Sequence, residues 1–128
     1  MTILDSDVMI DLLRQHQPAV SWLESLGEED IIVPGFVVME LLQGCSNKTE
    51  QAKVEQVLTG FEIVWPLPEV CEDALKVFAH YHLSHGIGLL DALIGQTAVA
   101  LNLPLYTFNR KHYAPIPDLV TVEPYSKS

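Results

Sequence analysis

The chain opens with Thr2-Ile3-Leu4-Asp5-Ser6-Asp7-Val8, an apolar run followed directly by residues that favour the start of a helix. The run over residues 2–4 is too short for a helix and predicts a strand. From Asp7 onward, apolar residues recur at helical spacing, and they predict a helix that ends before Pro18. A strand that leads into a helix is the repeating unit of α/β proteins, and the rest of the chain continues this alternation.

Further apolar runs and helical stripes follow in turn along the chain. The predicted strands cover residues 2–4, 31–33, 61–65, 105–107 and 119–122. After the first helix, further helices are predicted over residues 18–26, 36–43, 48–58, 69–83 and 91–101, with loops over 84–90 and 110–117. Strands separated by helices imply a mostly parallel sheet of roughly five strands with helices on both faces. We therefore predict an α/β fold of three layers, α/β/α.

Length and composition indicate one packed domain over residues 1–128. Hydrophobic residues make up 48% of the 128 residues, and no internal repeat or linker interrupts them. No apolar run approaches the roughly 18 residues that span a bilayer, so we expect no membrane partner. The first residues have no basic region and no long apolar stretch, which argues against a secretory signal. Cys45 and Cys71 are isolated, and this favours free thiols in a reducing cytoplasm.

The charge of the chain argues against simple nucleic-acid binding. Seven Lys and Arg residues against 17 Asp and Glu residues give a formal net charge of −10. Proteins that bind nucleic acids usually present a basic surface to the phosphates. Either the partner is not a nucleic acid, or metal ions and a basic partner protein supply the missing positive charge.

Four polar residues, Asp5, Glu40, Asp91 and Asn109, each stand beside an apolar element. Asp5 and Asn109 follow the first and fourth predicted strands, and sites in parallel sheets form outside the carboxyl ends of the strands. Buried unpaired charges are costly, whereas a divalent cation with oxygen ligands would stabilise such a cluster. Each residue also has an ordinary explanation. Asp5 and Asp91 could cap helices, Glu40 could lie on a solvated face, and Asn109 could belong to a turn.

Several motifs taken together resemble the PIN-domain family. They are Asp5-Ser6-Asp7-Val8, Met39-Glu40-Leu41-Leu42-Gln43-Gly44, Leu90-Asp91-Ala92-Leu93-Ile94 and Thr107-Phe108-Asn109. The similarity extends over residues 1–123, and the small size points to VapC-type toxins of type II toxin–antitoxin pairs. The resemblance implies a metal-dependent endoribonuclease that activates water for phosphodiester hydrolysis.

The resemblance also assigns roles to residues. It implies that Asp5 and Asp91 bind Mg²⁺ or Mn²⁺, and that Glu40 either binds the metal or orients water on it. Asn109 stands at the fourth position, where many relatives have Asp, so the presence of a second tightly bound metal is left open. Because carboxylates crowded together repel one another, we expect at least one of them to have a raised pKa without metal. Asp7 either belongs to this cluster or starts the first helix.

Partners follow from the same resemblance. VapC-type toxins pair with a small antitoxin whose arm occupies the toxin groove, so we expect a cognate antitoxin, an RNA substrate and a homodimer. Arg14, Arg110 and Lys111 lie near the motifs and are the predicted phosphate contacts. The loops over 84–90 and 110–117 would contribute to the choice of RNA target.

Two other functions compete with the nuclease. The chain could be a non-catalytic binding module on the same fold. It could also be a haloacid-dehalogenase-like phosphotransferase with Asp5 as nucleophile, since Asp5-Ser6-Asp7 resembles the acidic pair of those enzymes. Such enzymes need a hydroxyl after the second strand, and Pro34-Gly35 offers none.

Overall fold

The sheet contains five parallel strands. A computed structural model describes residues 1–127, so Ser128, the last residue of the predicted domain, lies outside the described residues. The strands are β1 (Thr2–Leu4), β2 (Ile31–Pro34), β3 (Glu62–Val64), β4 (Leu105–Tyr106) and β5 (Thr121–Val122). They lie in the order β3-β2-β1-β4-β5, and every neighbouring pair is parallel. The predicted α/β class with a mostly parallel sheet is confirmed.

Helices connect the strands and cover the sheet. They are α1 (Ser6–Leu13), α2 (Gln17–Ser25), α3 (Gly35–Gln43), α4 (Lys48–Leu58), α5 (Pro68–His85), α6 (Leu89–Leu101) and α7 (Arg110–Tyr113). From β1 to β3 each new strand is added on the same side of β1, and β4 and β5 are then added on the opposite side. Right-handed crossovers therefore put α1 to α4 on one face of the sheet and α5 to α7 on the other. Contacts of α1 with α2 and α3, and of α6 with α5 and α7, agree with these three layers.

The centre of the sheet is covered on both faces. Ile3, Leu4, Val33 and Leu105 are fully buried, and Met9 of α1 and Ile94 of α6 are equally buried in the helical layers. Parallel strands covered on two faces become continuous apolar runs, because neither side of the strand meets water. This explains why residues 2–4 and 31–33 were readable as strands from the sequence.

The strand register brings distant parts of the chain to one edge of the sheet. Leu4 pairs with Tyr106 across β1 and β4, and the Asp5 amide donates a hydrogen bond to the Tyr106 carbonyl at 3.1 Å. On the other side of β1, Ile3 pairs with Ile32 of β2, which leads into α3. The residues that follow β1, β2 and β4 therefore emerge together at the carboxyl edge.

Two predicted loops are wrong. Helix α5 continues through residue 85 and ends at Gly86, whose φ of 66° is the left-handed conformation that glycine tolerates best. Helix α6 begins at Leu89, so Asp91 is the third residue of the helix and not its first. The segment 110–117 contains the short helix α7. Each error arose from reading glycine, proline and polar residues as irregular chain when they mark helix ends.

The prediction of free cysteines has a structural counterpart. Cys45 and Cys71 are both free thiols, and both are half-buried. Within residues 1–127, no helix is long and apolar enough to cross a membrane.

Candidate functional site

Asp5 lies at the centre of the carboxyl edge, directly after β1. Its side chain is 2% exposed and caps α1, with Oδ1 accepting a hydrogen bond from the Ser6 amide at 2.8 Å. The ordinary capping explanation is therefore confirmed. Capping leaves Oδ2 for a second bond, which the Thr107 hydroxyl donates at 2.8 Å.

A third hydrogen bond to Asp5 comes from the hydroxyl of Tyr113, which is buried at the end of α7. Burial, and after it the charge of Asp7, outweighs the opposite effect of the bonds from Thr107, Ser6 and Tyr113 and raises the pKa of Asp5 to about 6. Burial likewise raises the pKa of the Tyr113 phenol, which stays a donor. The Asp5 side chain is therefore rigidly held, and its carboxyl group ionises less readily than it would in water.

Asp7 joins α1 to the chain that follows β4. Its Oδ2 accepts a hydrogen bond from the Phe108 amide at 2.8 Å and lies 3.4 Å from the Thr107 hydroxyl oxygen. Its Oδ1 accepts from the Val8 amide at 2.8 Å. Burial raises the pKa of Asp7 as well. Asp7 thus fixes the position of Thr107 beside Asp5. It does so from the first turn of α1, one residue after the helix begins.

Glu40 comes to the site on α3, which packs against α6. Its side chain is half-buried. Burial, together with the charges of Asp5, Asp91 and Asp7, raises the pKa of Glu40 to about 7. The expectation of a raised carboxylate pKa is confirmed by Glu40 and Asp5. Four carboxylates from α1, α3 and α6 therefore interact electrostatically at this edge.

Asp91 is held by the start of α6. Its Oδ2 accepts a hydrogen bond from the Gly88 amide at 3.1 Å and so caps the helix, as the ordinary explanation required. A Cβ at position 88 would lie 2.9 Å from Oδ2 of Asp91, so any other residue there would require the Asp91 carboxylate to shift. The bond uses one carboxylate oxygen, and the other can bind a different group.

Asn109 lies at the exposed rim of the site. Its amide donates a hydrogen bond to the Thr107 hydroxyl oxygen at 3.0 Å, and its side chain does not cap α7. The predicted neighbourhood of β1 and β4 is confirmed, yet the residue after β4 whose side chain contacts Asp5 is Thr107. Sequence reasoning included Thr107 in a motif without predicting its contact with Asp5, and it missed Tyr113 altogether. A tyrosine beside polar residues carries no signal that its hydroxyl will be buried.

The oxygen donors at this edge fit a hard cation such as Mg²⁺ or Mn²⁺. Among residues 1–127, no three Asp, Glu, His or Cys side chains form a group that could hold a metal ion by themselves. Magnesium sites commonly use one or two carboxylates and complete the shell with water and substrate oxygens, so a closed cage of protein ligands is not required. The mutual repulsion that raises the pKa of Glu40 is the repulsion that a cation would relieve.

The predicted phosphate contacts are divided between two places. Arg14 lines the same cavity as Glu40, with a volume of about 480 Å³. Arg110 lies on α7, where its Nε donates a hydrogen bond to the Thr121 hydroxyl at 3.2 Å. Lys111 is exposed on the same helix.

Comparisons with known proteins agree with this architecture. The model of the PIN domain matches residues 2–115. Ribonuclease VapC19 of Mycobacterium tuberculosis is 32% identical over 126 residues, which cover 93% of this chain and 97% of the relative. Ribonuclease VapC of Rickettsia bellii is 33% identical over 125 residues and 91% of each chain.

Solved structures with the same fold include two complexes. The VapBC2 structure from Rickettsia felis, bound to a DNA fragment from the promoter, superposes with a TM-score of 0.80 at 25% identity, over 94% of this chain and 96% of that one. A toxin–antitoxin complex from Klebsiella pneumoniae gives a TM-score of 0.76 at 25% identity, over 98% and 99%. By its fold, its motifs and these relatives, the chain belongs to the PIN-domain family and is related to the VapC ribonucleases.

Proposed function

We propose that this chain is a metal-dependent endoribonuclease and the toxin of a toxin–antitoxin pair. The observation that supports this most directly is the convergence of Asp5, Glu40 and Asp91 from three separate elements at the carboxyl edge of the sheet, close enough for their charges to raise the pKa of Glu40. Relatives that align over nearly their whole length are named ribonucleases. The site and the relatives point to the same chemistry.

In this proposal Asp5, Glu40 and Asp91 hold Mg²⁺ or Mn²⁺, and Asn109 is the fourth group of the site at its rim. A bound divalent cation would lower the pKa of water and stabilise negative charge on the phosphoryl oxygens.

The three carboxylates have different tasks. Asp5 is fixed by the Ser6 amide and the Thr107 hydroxyl, so it supplies a carboxylate of constant position. Asp91 is fixed through one oxygen by Gly88. Glu40 is half-buried, and its pKa of about 7 without metal marks it as the carboxylate that gains most from a bound cation.

The proposed partners are RNA, a cognate antitoxin and a second copy of the chain, all in the cytoplasm. The antitoxin is supported by the complexes that share the fold. Exposed leucines on and next to α5 support a homodimer, because Leu67, Leu75 and Leu83 are 68%, 65% and 88% exposed. For RNA we propose that Arg14 contacts phosphate beside Glu40, with Arg110 and Lys111 as contacts on α7.

Cleavage of total cellular RNA in the presence of Mn²⁺ tests the proposal. The new ends are mapped by sequencing for the wild type and for Asp5→Ala, with Asp73→Ala on the exposed face of α5 as a matched loss of one carboxylate. We expect discrete ends with the wild type and Asp73→Ala, and none with Asp5→Ala or after chelation. If folded wild-type protein binds Mn²⁺ and produces no new ends, the nuclease proposal fails. If it binds no metal either, a non-catalytic binding module is the better description.

A further inference from the structure

A groove leads away from Glu40 along helix α4. Its near part is the cavity of about 480 Å³ that Glu40 shares with Arg14, Lys53 and the apolar Val54. Leu13 and Lys53 also line a second cavity of about 680 Å³, which extends as far as Lys48. The two cavities together are here named the α4 groove, and its lining includes Glu40, Arg14, Leu13, Val54, Lys53 and Lys48.

Basic residues are concentrated in this groove. Three of the seven Lys and Arg residues of the chain line it, although the chain carries a net charge of −10. Over residues 1–127, the ion pairs join the Met1 amino group to Glu29 and Lys127 to Asp11, so none of the three groove cations is paired with a carboxylate.

Glu50, the acidic residue of α4 in this groove, is hydrogen-bonded to the chain just before the helix. Glu50 lines the near cavity, and its carboxylate accepts a hydrogen bond from the Ser46 amide at 2.8 Å. Cations that remain unpaired beside carboxylates are available to an anion from outside the chain. Because the carboxylate cluster repels a polyanion, nearby cations are needed to bring one to Glu40.

The arrangement suits one class of ligand. Lys48 and Lys53 are five residues apart on α4, which is about 7.5 Å along the helix axis, so they can contact separate phosphates. Leu13 and Val54 line the same cavity as Arg14 and Lys53 and offer an apolar surface for ribose and base. A positively charged groove that follows the backbone is one of the features by which proteins bind single strands without reading sequence.

We propose that the α4 groove binds single-stranded RNA on one side of the scissile phosphate, with Arg14, Lys53 and Lys48 in contact with successive phosphates. This inference rests on the proposed nuclease function and adds to it the path of the substrate. It also explains how so acidic a chain can hold RNA, because the strand is held where the cations are.

The binding of a fluorescein-labelled single-stranded RNA of mixed sequence tests the proposal. Affinity is measured by anisotropy in chelator, which prevents cleavage, at several salt concentrations. The test protein is Lys48→Gln/Lys53→Gln, which lowers the net charge by two units. Lys76→Glu, on an exposed position of α5, lowers it by the same amount outside the groove. We expect the double variant to lose roughly tenfold in affinity and about 1.4 from the slope of log K against log salt, and Lys76→Glu to lose far less.

Cleavage kinetics separate this inference from the proposed function. The double variant should keep kcat and raise KM, because it retains Asp5, Glu40 and Asp91. Wild type that cleaves RNA, together with groove variants that bind and cleave as the wild type does, would overturn the groove assignment and leave the nuclease intact. Equal losses for the double variant and Lys76→Glu would also overturn it, since net charge alone would then explain binding. Wild type that neither binds nor cleaves RNA would overturn both proposals.

Discussion

Asp5→Asn should make the metal-free protein more stable at neutral and alkaline pH. The structure holds the Asp5 carboxylate 2% exposed, and burial raises its pKa from 3.8 to about 6. The folded state therefore binds this proton more tightly than the unfolded state does. The free energy of unfolding consequently falls as the pH rises through 3.8 toward about 6, and the loss is complete above that range.

The size of the effect follows from the shift. A rise from 3.8 to about 6 corresponds to about 3 kcal/mol, at about 1.4 kcal/mol per pKa unit. About half of this penalty is present at about pH 5 and nearly all of it at about pH 8. Asparagine carries no charge, keeps an oxygen for the Ser6 amide and has nearly the same shape. Asp5→Asn should therefore gain stability over the wild type by roughly 1.5 kcal/mol more at about pH 8 than at about pH 5.

Urea unfolding in chelator measures this difference, with Asp73→Asn as the exposed control that should show no such change. The comparison of two pH values removes any constant effect of the substitution on packing. The difference in stability between Asp5→Asn and wild type should change with pH. If it is the same at both pH values, ionised Asp5 does not destabilise the folded state and the reasoning is refuted.

Three other substitutions test the surroundings of the site. Tyr113→Phe removes the hydroxyl that hydrogen-bonds Asp5, so at about pH 8 the free energy of unfolding in urea should fall by about 1.5–3 kcal/mol. The fall should be smaller at acidic pH, where Asp5 is protonated, and an equal fall at both pH values would contradict a bond to the charged form. Gly95→Ala would put a Cβ 2.5 Å from Cδ1 of Ile116, so the free energy of unfolding should fall by about 1–3 kcal/mol and the melting temperature should fall with it. An unchanged melting temperature would show that Ile116 moves freely. Asn109→Ala should lower kcat for RNA far less than Asp5→Ala does, because Asn109 is exposed and Asp5 is buried; equal losses would place Asn109 at the centre of the site.

Sequence patterns predicted most strands and helices because these elements bury apolar side chains at regular intervals. The strands at residues 2–4 and 31–33 are apolar on both faces, and helix α4 was predicted with the bounds that the structure gives it, Lys48–Leu58. The start of α6 was missed because Gly88 looks like a loop residue, whereas it caps the helix beside Asp91.

The site was only partly predictable for a different reason. Asp5, Glu40 and Asp91 were recognised as polar residues beside apolar elements, but their meeting depends on the position of β1 between β2 and β4, which no local pattern encodes. The contribution of Tyr113 depends on how closely α7 packs on α6 at Gly95, a contact between distant residues. Residue types indicate candidate chemistry, and only the topology shows which candidates share a site.

The hydrogen bond between Thr107 and Asp5 joins residues 102 positions apart, and it has a consequence for the timing of activity. A ribosome adds Thr107 102 positions after Asp5, so until then the nascent chain lacks β4, which is one of the two neighbours of β1. Until that strand leaves the ribosome, Asp5 has neither Thr107 nor Tyr113 to hold it. The site therefore forms only after translation has passed Thr107, and any activity that needs Asp5 held in place begins after that point.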